Sequence, residues 1–254
     1  MVDLDELLRE AERLPVGGWS FDRIRDRWRT SAPPWDLKEL IRGCVGAGSS
    51  LLDLGTGGGE FLESVLTSLP VVPARVVATE GYAPNLPIAR ARLEPRGVSV
   101  ISLGGDHRID LPERSVDVVM DRHTAFEARE VARVLKPGGR FVTQQVGGSN
   151  YRELALWFGV EHERSFNRLG SCRELAEEIA PAGFTIQEAR EESHPEPFLD
   201  VGALVYFLRM APWEVPGFSV ERFRPVLSIL HREVERRGHL ELTAQRLLVV
   251  ARRS

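Results

Sequence analysis

The sequence predicts an α/β fold in which a mostly parallel sheet is covered by helices on both faces. Three observations predict it. From Ser50 onward, apolar runs of four to seven residues alternate with helical stretches. The first of those runs opens into a glycine-rich turn, and a later one is preceded by Lys136-Pro137-Gly138-Gly139 directly after a helical stretch. Continuous apolar strands alternating with helices belong to parallel sheets buried on both sides, joined by right-handed crossovers.

The elements follow in order. Leu4, Leu7, Leu8, Ala11 and Leu14 recur at helical spacing. Residues 15–35 concentrate Trp19, Phe21, Trp28 and Trp35 around Pro33 and Pro34, and a short helix is expected at 36–43. Strands are expected at 50–54, 75–80, 98–103, 116–121 and 140–146, with helices between them at 58–68, 84–94 and 125–135. Beyond 147 the spacing predicts helices near 149–158 and 172–181, a strand at 183–190 and a last strand at 243–252. The fifty or so residues between those two strands, helical at 199–210 and 220–236, are too many for a hairpin and are expected to cap the sheet's carboxyl edge. The expected organisation is one domain over 1–254, with an N-terminal helical lid at 1–43, a core at 44–190 and 240–254, and an inserted cap at 191–239.

Composition bounds the function. With 43% hydrophobic and 28% charged residues, the 254-residue chain reads as an ordinary globular protein. No apolar run nears the roughly 20 residues that span a membrane, and the acidic amphipathic start lacks the features of a secretory signal, so no membrane partner and a cytoplasmic location are expected. Cys44 and Cys172 make neither a disulfide framework nor a zinc site, and the histidines at 162, 194 and 231 show no ligand spacing, so no metal is expected. A net charge of −4 argues against a nucleic-acid partner.

The strongest signal is Leu51-Leu52-Asp53-Leu54-Gly55-Thr56-Gly57-Gly58-Gly59-Glu60. Glycines let backbone approach a ligand closely, and a helix begins where they end. This is a nucleotide-type turn at a strand's carboxyl end. A nicotinamide site would want Gly or Ala where Glu60 stands, and Asp53 would sit badly beside a pyrophosphate but well beside an ammonium. Glu80 ends the second strand, 21 positions after Gly59, where an acid can accept both hydroxyls of a ribose.

The pattern Asp-x-Gly-x-Gly-x-Gly resembles the first motif of class I S-adenosylmethionine-dependent methyltransferases. Asp106-His107 before the fourth strand and Leu135-Lys136-Pro137-Gly138-Gly139 before the fifth extend the likeness over 36–190 and 243–252. The segments ATEGYAPNLPIA, DRHTAFEAREV, FVTQQVGG and MAPWEVPGF narrow it to a bacterial subgroup with no defined substrate. The resemblance implies a Rossmann-like sheet of seven strands with an antiparallel last strand. It implies S-adenosylmethionine as cofactor, held by Asp53, Gly55, Thr56, Gly57 and Gly59, with Glu80 and Gly81 at the ribose, Asp106 and a backbone N–H of His107 at the adenine, and Asp121 nearby.

The acceptor is expected beyond the fourth and fifth strands. His123 is the candidate general base, with a pKa suited to proton transfer near neutrality. Arg122, Gln144, Gln145, Trp35, Tyr151, Tyr206 and Trp213 are candidate acceptor contacts; strand geometry allows at most one of the two glutamines to face the pocket. The expected reaction is methyl transfer to O, N or S of a small molecule. The alternatives are methylation of RNA or protein, for which the arginines at 222, 224, 232, 236 and 237 speak, and a non-catalytic cofactor-binding module.

Overall fold

The computed structural model describes residues 3–16, 21–161 and 170–254; Trp19 and His162 lie outside them. Seven strands form: β1 (Ser50–Leu54), β2 (Arg75–Glu80), β3 (Ser99–Ser102), β4 (Val116–Arg122), β5 (Leu135–Val146), β6 (Phe184–Phe198) and β7 (Leu240–Arg253). They make one sheet in the order β3-β2-β1-β4-β5-β7-β6. The pairs β2–β3, β1–β2, β1–β4 and β4–β5 are parallel, and β7 runs antiparallel to β5. The Rossmann-like sheet with its antiparallel final strand is therefore present.

The chain divides into two compact units: one of residues 34–147, 169–192 and 246–254, the other of 1–33, 148–168 and 193–245. In the first, alternation along the strands deals consecutive side chains to two separate cores. Leu51, Val118, Val142 and Leu248 join Leu37 and Ile41 of α2 (Leu37–Arg42), Leu62 and Val65 of α3 (Glu60–Ser68) and Leu93 of α4 (Leu86–Leu93). Their neighbours Leu52, Val119, Phe141 and Leu247 join Val131 and Val134 of α5 (Ala128–Val134) and Leu175 and Ile179 of α7 (Cys172–Ile179). Burial on both faces is why these strands read as unbroken apolar runs.

One expectation is corrected here. Lys136–Gly139 is not a turn ahead of the fifth strand but an irregularity inside it. Leu135 already pairs with Val116, and Arg140 with Val118, so β5 advances five residues where β4 advances two. Gly138 takes the left-handed conformation (φ +79°) that the bulge demands.

The second unit holds α1 (Leu4–Arg13), α6 (Arg152–Phe158), α8 (Val201–Met210) and α9 (Val220–Arg237). Of the ten residues of α8, nine are buried, including Tyr206 and Phe207. A helix apolar on all sides is a core helix, and Leu8, Ala11, Ile24, Phe198 and Leu227 cluster with it. Trp28 lies in the same aromatic packing, stacked 5.2 Å from Phe198. Arg27 anchors the unit's charged side, donating to both carboxylate oxygens of Asp200 at 2.6 Å.

Candidate active site

The polar residues of the glycine turn and of the ends of β2, β4 and β5 all lie in the sheet-centred unit. They gather at the carboxyl ends of the parallel strands, where ligands of open α/β sheets bind. Gly55, Gly57 and Gly59 adopt φ of +62°, +62° and +87°. A Cβ on Gly55 would fall 1.8 Å from the Thr124 hydroxyl oxygen, so this glycine is demanded twice, by conformation and by space. The turn is pinned to β2: Gly55 N–H donates to the Thr79 hydroxyl at 3.1 Å, and Thr56 N–H to the Thr79 carbonyl at 2.8 Å.

Glu80 closes the frame. Its Oε2 accepts from Gly57 N–H and its Oε1 from Tyr82 N–H, each at 2.6 Å. Burial raises its pKa, and these N–H groups pull it back. Each oxygen retains a lone pair for a further donor. Asp53 is 3% exposed on β1. Burial pushes its carboxyl up to about 7, with the Thr56 hydroxyl and the Arg122 charge opposing and the Glu80 charge adding to the rise. A carboxylate so desolvated is a receptor for a cation.

Asp121 has a different task from the cofactor contact expected of it. Its Oδ1 accepts from Thr124 N–H at 3.1 Å; its Oδ2 accepts from the Thr143 hydroxyl at 3.0 Å and from Gln145 Nε2 at 2.6 Å. Burial, reinforced by the Asp53 charge, holds its pKa well above the usual carboxylate range. The same Gln145 amide also reaches Thr143 Oγ1 at 2.9 Å and the Thr124 carbonyl at 3.0 Å. Gln145 is therefore withdrawn from the expected acceptor contacts, because its amide is committed to this buried network.

Gln144 points to the other face. Its Oε1 accepts from Trp35 Nε1–H at 2.8 Å, and its Nε2 lies 3.1 Å from His123 Nε2. His123 has φ +65° and donates its backbone N–H to the Gln144 carbonyl at 2.8 Å. Burial, then the charges of Arg122 and Arg246, hold its pKa well below 6.5. The general-base role expected of His123 would fall to an imidazole whose Nε2 faces the Gln144 amide. Arg122 lies over the Phe61 ring, 4.7 Å from its centroid.

The other expected residues lie as follows. The His107 backbone N–H donates to the Gly104 carbonyl at 3.0 Å. Asp106 is exposed, and its Oδ1 accepts from Arg108 N–H at 3.2 Å. Tyr151 and Tyr206, 3% and 1% exposed, belong to the apolar core of the other unit, where Tyr151 donates to Glu196 and Tyr206 to the Pro15 carbonyl. Half-buried Trp213 packs against that same core. Thr124, Thr143 and Arg246 were not singled out from sequence. For Arg246 a signal existed: it is a charge inside the apolar run of β7.

Comparison with known proteins decides the family. Residues 52–143 match the family model described as a methyltransferase domain. This stretch is a class I methyltransferase domain. An uncharacterised methyltransferase of Mycobacterium tuberculosis is 34% identical over 182 residues, which are 69% of this chain and 63% of that protein. The match thus spans less than two thirds of that relative's length. Among solved structures, the YcgJ protein of Bacillus subtilis superposes with a TM-score of 0.60 at 17% identity, covering 85% of this chain and 97% of that one. A geranyl diphosphate methyltransferase in complex with S-adenosylmethionine gives 0.51 at 17% identity, covering 85% of this chain and 84% of that one. The cofactor of the methyltransferase domain is S-adenosylmethionine.

The residues present fit that group. Asp53 would offer a desolvated carboxylate to the ammonium, the glycines leave Thr56 as the turn's one side chain, and Glu80 would have acceptor capacity for the ribose hydroxyls. No group of three or more His, Cys, Asp or Glu side chains among the described residues could hold a metal ion.

Proposed function

We propose that this chain binds S-adenosylmethionine at the β1 turn and transfers its methyl group to an oxygen, nitrogen or sulfur of a small molecule. The observation that carries the reading is the pair of buried carboxylates, Asp53 and Glu80, at the ends of adjacent strands on either side of a turn whose one side chain is Thr56. Asp53 takes the amino-acid end of the donor and Glu80 the ribose; Gly55, Gly57 and Gly59 let backbone run along it. When bound, the donor supplies an electrophilic methyl on a sulfonium. The protein's own contribution is alignment, and alignment is worth about 7–11 kcal/mol when the geometry is good.

A small acceptor is favoured over RNA by the ion pairing of three of the five arginines on α9. Arg224 pairs with Asp5, and Arg236 and Arg237 both pair with Glu233. Paired in this way, they do not present a bare cationic stripe to a phosphate backbone.

Calorimetry of the full chain with S-adenosylmethionine and S-adenosylhomocysteine tests the reading, followed by turnover of methyl-labelled donor against a metabolite panel. Saturable heat and label transfer are expected. Silence at millimolar donor from a chain that is folded by circular dichroism would end it.

A further inference from the structure

We infer that Trp35 and Gln144 are positioning residues that hold His123 neutral with its proton on Nδ1, so that the ring donates a hydrogen bond to the methyl acceptor instead of taking a proton from it. The role toward an acceptor rests on the reading above; the state of the ring does not.

The argument is a chain of donors. An indole N–H can only donate. The Gln144 atom 2.8 Å from Trp35 Nε1 is therefore the amide oxygen, which leaves the NH2 group facing His123. An NH2 group can only donate as well, so His123 Nε2, 3.1 Å away, must be the acceptor. A neutral imidazole accepting at Nε2 carries its proton on Nδ1. Protonating Nε2 would set two donors against each other across that contact.

Independent features support the arrangement. Gln144 grips His123 twice, through its carbonyl to the backbone N–H at 2.8 Å and through its amide to the ring. That first contact holds the non-glycine φ of +65° in place. A histidine recruited as a base is oriented by a carboxylate, which stabilises the imidazolium. Here the ring's partner is a neutral amide, and the charges acting on it are both positive: Arg122 beside it on β4 and Arg246 on β7. Val146 pairs with Arg246, and Gln144 with both Arg122 and Leu248, so alternation sets Gln144, Arg122 and Arg246 on one sheet face. His123 Nδ1 has no hydrogen-bond partner among the described residues. The acceptor this suits presents an oxygen or nitrogen lone pair to the ring and arrives already nucleophilic.

Long-range proton–nitrogen correlation spectra of the full chain with labelled histidine test the inference. The expected result is the Nδ1–H pattern for His123 with no titration between pH 5.5 and 8. Trp35→Phe frees the amide to turn over and should mix the two tautomers. Gln144→Glu replaces the amide with a carboxylate, and should move the proton to Nε2 and raise the midpoint by at least one pH unit. An Nε2–H pattern in the native chain, an ordinary midpoint near 6.5, or signals unmoved in both variants would overturn it. Donor calorimetry on the same samples separates the two claims: donor binding with the wrong tautomer refutes only this inference, whereas the right tautomer without donor binding refutes its acceptor role and the methyl-transfer reading together.

Discussion

The two halves of the candidate site are built differently. At the ends of β1 and β2 the frame is local: a glycine turn, one acid two residues before it, and one acid whose oxygens take backbone N–H groups, Gly57's in the turn and Tyr82's just past the acid itself. At the ends of β4 and β5 the frame is woven from side chains that answer one another: Asp121 with Thr143 and Gln145, and His123 with Gln144 and Trp35. A local frame leaves a motif in the sequence. A woven one does not, because each contact needs two matched side chains, 21 to 109 positions apart, where the turn's contacts over 23 positions need only an acid and a backbone N–H.

The largest expected effect comes from joining the halves wrongly. Gly55→Ala places a methyl against Thr124 and forces a left-handed alanine, so donor affinity should fall about a hundredfold and stability by about 2 kcal/mol or more. Thr124→Ala in the same chain should restore part of the loss; a double-mutant cycle by calorimetry and thermal melts would show whether the contact is the cause. Next, Asp53→Ala should weaken donor binding at least tenfold in calorimetry. Unchanged affinity would remove the local half from the site.

Acidity should reproduce part of that loss without mutation. The free Asp53 carboxyl has a pKa of about 7, and a bound ammonium requires it ionised. Donor affinity should therefore rise as pH climbs, by somewhat less than tenfold between pH 6 and 7, and flatten above. The sign for folding is opposite. The folded-state value lies above the ordinary 3.8, so Asp53's contribution to stability is fully present below 3.8 and is lost as pH rises through 7. Thermal melts of the unliganded chain across pH 5–8 would check this. The smallest effect belongs outside both halves: Tyr206→Phe should cost about 1 kcal/mol in melting experiments and leave donor affinity unchanged.

The comparison also explains what was legible. The parallel sheet, its strands and the placing of Asp53, Glu80 and the glycines at its carboxyl ends follow from short runs of neighbouring residues. The adjacent glutamines were readable to the extent that alternation sends them to opposite faces. Which of them was committed internally depended on Asp121 and Thr143, which only folding brings near. Tyr151 and Tyr206 misled because an aromatic ring with a polar tip serves a pocket and a core equally well, and burial decided for the core. The His107 backbone N–H had no warning in sequence, since its partner is a carbonyl and any residue type supplies one.

The slack inside β5 bears on how the chain tolerates change in length. Between Leu135 and Arg140 the strand carries three residues more than its neighbour needs, so an insertion or deletion there is taken up before the pairing resumes. From Arg140 to Gln144, five consecutive residues pair without a break with Val118–Arg122. Losing a single residue in that stretch would exchange the faces of the two glutamines, and with them every polar partnership at the strand's end.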